Sequence, residues 1–215
     1  MTTGHLAPGA YLVAVALLLP AACTPAGEAE LDEATVHAEF MANLAHHCGE
    51  AFPGHLALEP PGDPMLTGTE ELIAHFRHCE PGEVRIPFHV EIEDEARWDR
   101  SRTWYIIRHE DRLELRHDHR RPDGTEDART WYGGYSVGTG TATRQDFLSP
   151  ERTEAAGVPV GWRIEIEPEV RYAYGTTYDG EFDWRVEFDL SQPLPTPPPL
   201  PWGHDRRPSR VPGLP

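Results

Sequence analysis

Lysine is missing from the 215-residue chain, and all 19 basic residues are arginine. An all-arginine basic set indicates a genome with GC-rich codons more than a functional demand. The arginines are outnumbered by 36 acidic residues, so the formal net charge is −17. A surface this acidic repels nucleic-acid backbones and anionic lipids. The charge therefore excludes nucleic acid as an expected partner and predicts a soluble domain.

Long apolar runs and common catalytic motifs are also missing. The longest apolar run, residues 11–22, is shorter than the roughly 20 residues of a membrane-spanning helix. The chain contains no GxSxG, P-loop or HExxH motif, and no cysteine has a neighbour that would activate it as a nucleophile. These absences argue against nucleophilic catalysis, and a protein that is not an enzyme is the first expectation.

The apolar run leads directly into a cysteine. The pentapeptide LPAAC at residues 19–23 resembles the lipobox of bacterial lipoproteins, in which the cysteine becomes the lipidated first residue of the mature chain. The resemblance implies a signal peptide over residues 1–22, lipidation at Cys23 by acyl groups such as palmitate, and a lipidated tether over residues 23–30. The protein would then be exported and anchored to a cell-envelope membrane, on its outer-membrane or periplasmic side. The alternatives are an ordinary secretory signal cleaved before Cys23 and an uncleaved anchor.

Two stretches after the tether carry apolar residues at helical spacing. Residues 31–48 place Val36, Phe40 and Leu44 four positions apart. Residues 67–79 combine a second apolar stripe with the spacing of a capping box. The sequence therefore predicts two short helices on the N-terminal side of the domain.

Cys48 and Cys79 are the cysteines that remain once Cys23 is lipidated. In an exported protein the expectation is a disulfide between them. It would close a loop of about 30 residues and contribute on the order of 3–4 kcal/mol. Because histidines precede both cysteines, a zinc site is one alternative, and free thiols are another.

From residue 83 onward the apolar period changes from 3.6 to 2. Alternating runs separated by short turn signals indicate six to eight strands. This pattern predicts a mainly β, α+β fold: an antiparallel β-barrel or strongly curved sheet, lipocalin-like, with the helices packed on one side or at one end. A two-sheet sandwich is the runner-up. We assign the single domain to residues 31–191.

Proline and glycine mark the irregular places in this body. Pro87 faces outward within an alternating run, which indicates an edge position or a bend. The glycines at 133, 134, 138 and 140 indicate bulges, tight bends or close backbone approach. Nine of the 24 residues from Gln192 onward are proline, so residues 192–215 are expected as an extended, tethered or disordered tail. Trp202 could dock this tail on the barrel.

The segment around the dipeptide Glu110-Asp111 predicts an antiparallel hairpin. With a two-residue loop, Trp104 lies opposite His117, and the same register places Arg102 opposite His119. One face of the hairpin is then apolar and gives way to histidine and arginine near one end. Such a face is either a binding site or the rim of a core.

The strongest candidate site is the tripeptide His117-Asp118-His119. The two imidazoles of such a strand point to one side, about 6.6 Å apart in rise. They can converge on a divalent transition metal, with Asp123 as a third ligand. The HxH spacing partly resembles the first cupin motif, but the second cupin motif is absent and we do not assign that family. The alternative is that both histidines bond to carboxylates and backbone at the barrel rim.

An anionic ligand is the other chemistry that this hairpin suits. Arg102 and Arg120, together with His117 and His119, can receive a carboxylate or phosphate beside Trp104. The structural alternative is a solvated ladder of ion pairs between the arginines and aspartates of the hairpin.

Several short segments resemble a group of exported bacterial proteins. They are DRSRTW at 99–104, LELRHDHRRPDGTED at 113–127, YGG at 132–134, FDL at 188–190 and PWG at 201–203. The resemblance covers most of the chain after residue 36 and implies one exported domain, without an assigned activity. We therefore expect a cell-envelope lipoprotein with a non-enzymatic ligand-binding or structural role. A metal-dependent enzyme or metal-binding protein that uses His117 and His119 is the alternative.

Overall fold

A computed structural model of the chain describes residues 1–4, 32–59, 66–92 and 97–204. The chain divides into two compact units, Met1–Glu30 and Leu31–Pro215. Residues 1–4 form no regular secondary structure, and the rest of the predicted signal peptide, the tether and Cys23 lie outside the described residues. No helix in the described ranges is long and apolar enough to cross a membrane.

The second unit is built mainly from strands. Its described residues form two helices and eleven strands: α1 (Glu33–Ala45), β1 (Ala51–Leu58), β2 (Leu72–His75), β3 (His78–Glu80), β4 (Glu83–Ile92), β5 (Arg97–Arg108), β6 (Leu113–His119), β7 (Tyr132–Ser136), β8 (Arg144–Leu148), α2 (Pro150–Ala156), β9 (Val160–Glu167), β10 (Arg171–Tyr178) and β11 (Glu181–Asp189). The predicted mainly β class is therefore confirmed.

Ten of these strands close into a barrel. The order around the ring is β2, β1, β11, β10, β9, β8, β7, β6, β5 and β4, and β2 pairs in turn with β4. Every neighbouring pair is antiparallel. The predicted antiparallel, lipocalin-like barrel is confirmed, and the two-sheet sandwich is not formed.

The prediction of a second N-terminal helix was wrong, because that segment forms an interrupted strand. Ala74 of β2 pairs with Phe88, and Cys79 of β3 pairs with Val84, so both pieces run along the same edge of β4. Over so short a run the apolar spacing fits a helix and a strand alike, and the adjacent edge of β4 supplies the hydrogen bonds that decide between them. The second helix of the fold is α2, which follows β8.

Pro87 explains where the strand is interrupted. It pairs with Thr103 of β5 on one side, and on its other side lies the gap between His75 and His78. Proline has no N–H group to donate to that neighbour. Pro87 therefore marks a break in the adjacent chain and not an edge of the sheet.

Helix α1 closes one end of the barrel, which we call the α1 end. Phe40 and Leu44 are fully buried in the core, as the helical stripe predicts. The Asn43 side chain donates to the carbonyl of Ala142 at 2.8 Å in the β7–β8 connection. The helix therefore acts as a plug of apolar side chains under the strand connections of that end.

The predicted disulfide between Cys48 and Cys79 is present. It joins the segment after α1 to β3, and the backbone N–H of Gly49 donates to the carbonyl of Phe76 at 2.6 Å beside it. Because the two sulfur atoms are bonded to each other, the zinc alternative for these cysteines does not apply.

The described part of the proline-rich tail, residues 192–204, is packed on the outer wall of the barrel. The backbone N–H of Leu194 donates to the carbonyl of Ala51 at 2.7 Å, and that of Trp202 donates to the carbonyl of Arg100 at 3.1 Å. Trp202 therefore does dock the tail, and this part of the chain is not free.

Candidate ligand-binding end of the barrel

The hairpin of β5 and β6 has the predicted register, with Trp104 opposite His117 and Arg102 opposite His119. Because strand side chains alternate between two faces, these four residues share the inward side. Arg120 falls on the opposite, outward side. The predicted ligand set is therefore divided between two faces of the barrel wall.

Trp104 is part of the packed interior. Its ring is 2% exposed, stacks on Phe88 with centroids 4.8 Å apart and lies 4.2 Å from the ring of Tyr174. Aromatic contacts at these distances hold the ring in place. Trp104 thus forms the floor of this end of the barrel and not a free surface.

His117 is buried with both ring nitrogens engaged. Its Nδ1 donates to the carbonyl of Tyr132 at 3.1 Å, and its Nε2 accepts from the hydroxyl of Tyr174. The ring stacks on that of Tyr132, with centroids 4.6 Å apart. Burial lowers the pKa of His117 to about 3, so the imidazole is neutral at physiological pH.

His119 lies nearer the surface, on the far side of the same tyrosine. The hydroxyl of Tyr132 is 3.1 Å from Nε2 of His119, and Tyr132 is 38% exposed. Burial and the nearby charge of Arg102 lower the pKa of His119. Tyr132 therefore connects the buried His117 with the half-buried His119.

The charges of three arginines act on this tyrosine. Burial raises the pKa of Tyr132, and the charges of Arg102, Arg129 and Arg152 oppose that rise. Arg102 is neutralised by Asp99, whose carboxylate lies 2.6 Å away. Arg129 and Arg152 make no ion pair or side-chain hydrogen bond within the described ranges, although the guanidinium of Arg152 lies 5.3 Å above the ring of Trp162. We call the part of the barrel formed by Tyr132, His119, Arg102, Arg129 and Arg152 the Tyr132 end.

The predicted metal ligands do not converge. Asp123 is exposed and accepts from the backbone and hydroxyl of Thr125 in its own turn, and both nitrogens of His117 already have partners. Among the residues that the structure describes, no group of three or more histidine, cysteine, aspartate or glutamate side chains could hold a metal ion. The geometry therefore gives the metal site of His117, His119 and Asp123 no support.

Arg120 belongs to a different cluster on the outer wall. Its Nε donates to the carboxylate of Asp118 at 2.8 Å, and Asp118 also accepts from His204 of the tail and from Thr130. Burial alone would raise the pKa of Asp118, but the hydrogen bond from His204 and the charge of Arg120 outweigh it and hold that pKa below its usual value. The ion pairs on this hairpin mostly run along one strand and not across strands.

Sequence reasoning missed the residues that complete the Tyr132 end. Tyr132 stands in the glycine-rich stretch, Tyr174 in another strand, and Arg152 in a helix that no pattern indicated. The alternation over β10 predicts that Tyr174 faces inward. Nothing in the sequence predicts that Arg152 belongs to the Tyr132 end, because its position there depends on the order of strands around the barrel.

Comparison of the chain with protein-family models, with curated proteins and with solved structures finds no match. The functional conclusion therefore depends on the geometry of the barrel itself.

Proposed function

We propose that the protein is a cell-envelope lipoprotein whose barrel binds a small anionic molecule at the Tyr132 end, without catalysing a reaction. One observation carries the proposal. In a chain with a net charge of −17, Arg129 and Arg152 lack a carboxylate partner within the described ranges, and the charges of both oppose the rise in the pKa of Tyr132. Two guanidinium groups without a carboxylate partner can receive a carboxylate or a phosphate.

Aromatic side chains beside Arg152 offer an apolar contact surface. The ring of Tyr132 lies 6.1 Å from that of Trp162, which in turn lies under Arg152. A ligand with an anionic head and a flat or apolar body suits this arrangement.

The binding site is tested by titrating the full chain with inorganic phosphate and with decanoate at constant ionic strength, and by following tryptophan fluorescence. A saturable change with at least one of the two probes is expected. The Arg129→Gln/Arg152→Gln double variant should weaken that probe at least tenfold. Arg144→Gln is the matched control, because Arg144 is exposed and already paired with Asp146. No saturable change with either probe, or equal weakening in the control, would contradict the proposal.

The membrane anchor is a separate part of the proposal. It is supported by the lipobox-like LPAAC at residues 19–23 and by the disulfide Cys48–Cys79, which suits an oxidising compartment. Cells fed labelled palmitate should incorporate label into the chain, and Cys23→Ala should abolish the label. A wild-type chain that is exported and cleaved but carries no label would replace the lipid anchor with an ordinary secretory signal.

A further inference from the structure

The described part of the proline-rich tail, residues 192–204, follows a defined path across the outside of the barrel. Beyond its contact with β1 through Ala51, it meets β4 at His89, β5 at Arg100 and β6 at Asp118. Pro198 and Pro201 of the tail are buried. We call the outer surface formed by Ala51, His89, Arg100, Asp118 and Gly124 the tail groove.

The tail groove is polar in a way that suits proline. An extended proline-rich chain offers carbonyl acceptors but few N–H donors. In the groove, Nε2 of His89 donates to the carbonyl of Pro199, and Nη1 of Arg100 donates to the carbonyl of Leu200, both at 2.8 Å. The groove therefore supplies side-chain donors where the tail supplies acceptors.

At the Gly124 end of the groove, the backbone of the tail lies so close to the barrel that only glycine fits. A Cβ atom added to Gly203 would meet the carbonyl oxygen of Gly124 at 2.8 Å, and one added to Gly124 would meet the Cα of Gly203 at 3.2 Å. Trp202 lies under the guanidinium of Arg100, 5.8 Å from its ring centroid. His204 then donates to Asp118 at the last contact. Each of residues 201–204 is thus buried by the groove or has its own contact with it.

His89 gives a reason to regard this surface as a site and not as ordinary packing. It is fully buried, burial lowers its pKa to about 4, and the one hydrogen-bond partner of its ring among the described atoms is the tail carbonyl. Of the charged groups around His89, Arg100 lowers its pKa further and Asp99 raises it. A buried donor that is satisfied only by the tail is costly without an occupant.

We propose that the tail groove is a binding site for extended, proline-rich polypeptide, and that the tail is its built-in occupant. Any extended proline-rich segment offers the same main-chain carbonyls and proline rings to the groove and can therefore be recognised by it. A covalently attached occupant holds the site at an effective concentration of order millimolar. A proline-rich segment of another protein therefore binds only where it displaces the tail. This inference is independent of the anion site at the Tyr132 end.

The test uses a chain that folds intact and is cut afterwards. A specific protease sequence is inserted between Ser191 and Gln192, which are both exposed, and the full chain is cleaved after purification. A fluorescein-labelled peptide with the sequence of residues 193–204 is then added and its anisotropy measured. The peptide should bind the cut protein at least 100-fold more tightly than the uncut protein.

Two controls identify the contacts. A peptide with Pro198→Ala and Pro201→Ala should bind the cut protein at least tenfold more weakly, as should the parent peptide with an Arg100→Met protein. Loss of the near-ultraviolet circular dichroism on cutting would overturn the proposal, because the tail would then be part of the fold. A cut protein that keeps its signal but never exchanges its tail for the peptide, or releases the tail and ignores the peptide, would overturn it as well.

Discussion

The Nε2 atom of His117 and the hydroxyl oxygen of Tyr174 lie 2.5 Å apart, joining β6 to β10 across the interior of the barrel. The carbonyl of Tyr132 can only accept, so Nδ1 of His117 carries the proton and Nε2 receives the one from Tyr174. The neutral imidazole is therefore fully satisfied. A second proton on the ring would have to displace the Tyr174 hydrogen bond.

This arrangement makes the fold sensitive to acid. The pKa of His117 falls from 6.5 to about 3 on burial, so between these values the unfolded chain binds more protons than the folded one. The contribution of the neutral His117 to the free energy of unfolding is therefore fully present above pH 6.5. It is lost as the pH falls towards 3, and its size is on the order of a few kcal/mol. We expect the melting temperature to fall between pH 7 and pH 4.

The variant His117→Gln isolates this contribution, because glutamine keeps polar atoms at the site but does not titrate. Its melting temperature should depend less steeply on pH over the same range. His75 and His89, whose pKa values burial also lowers to about 4, remain in the variant and leave part of the slope. An unchanged slope would show that His117 is not held neutral by the barrel.

Asp118 should matter more than its neighbour Asp123. Asp118 is fully buried and accepts hydrogen bonds from Arg120, Thr130 and His204. Asp118→Asn leaves the shape but removes the charge that these donors face, at an expected cost of about 1–3 kcal/mol in the free energy of unfolding. Asp123→Asn, on an exposed turn, should cost less than about 0.5 kcal/mol. Urea unfolding of both variants measures the difference in the free energy of unfolding. Equal losses would show that the hydrogen bonds to Asp118 contribute no more to stability than the turn at Asp123.

The hairpin register and the disulfide could be predicted because both depend on local rules. A two-residue loop and strict alternation fix which residues of β5 and β6 are opposite, and two spare cysteines in a chain expected to be exported favour one pairing. The same alternation places Arg120 on the outer wall, which the grouping of Arg120 with His117 and His119 overlooked. The Arg102 and His119 part of the site was thus accessible from the sequence.

Other features depended on contacts that no local pattern records. The segment from residue 72 to residue 80 forms the two short strands β2 and β3 because β4 offers an edge there, although its apolar spacing also fits a helix. Arg152 reaches the Tyr132 end because β9 lies two places from β7 in the ring. The tail is docked through His89 and Arg100, and nothing in its prolines predicts those partners.

Added metal should leave the protein unchanged. The ring nitrogens of His117 are both engaged, so binding would require the Tyr174 and Tyr132 hydrogen bonds to break. One equivalent of zinc is expected to shift the melting temperature no more in the wild type than in the His117→Ala/His119→Ala variant. A stoichiometric zinc content that disappears in that variant would restore the metal-site hypothesis.

Reduction of the disulfide should destabilise the α1 end of the barrel. Cys48 and Cys79 are 31 positions apart, and a cross-link over about 30 residues contributes on the order of 3–4 kcal/mol by limiting the unfolded chain. Cys48→Ser/Cys79→Ser should therefore lower the melting temperature, and reductant should lower that of the wild type but not that of the variant. Equal sensitivity of both proteins to reductant would place the effect elsewhere.

The glycine at 134 should be among the least replaceable residues of the barrel. A Cβ atom there would overlap the backbone of Leu148 in β8, and the same holds at Gly133 for Leu115 in β6. Gly134→Ala must push β7 from its neighbour, and overpacking of this kind costs about 1–3 kcal/mol. Gly82→Ala is the matched control, since its nearest neighbour would be the carbonyl oxygen of Arg108 at 4.0 Å. Thermal unfolding should show a clear loss for the first variant and a change within about 0.5 kcal/mol for the second. Equal melting temperatures would mean that β7 is free to move away from β8, and that the glycine-rich stretch is not held by close backbone contact.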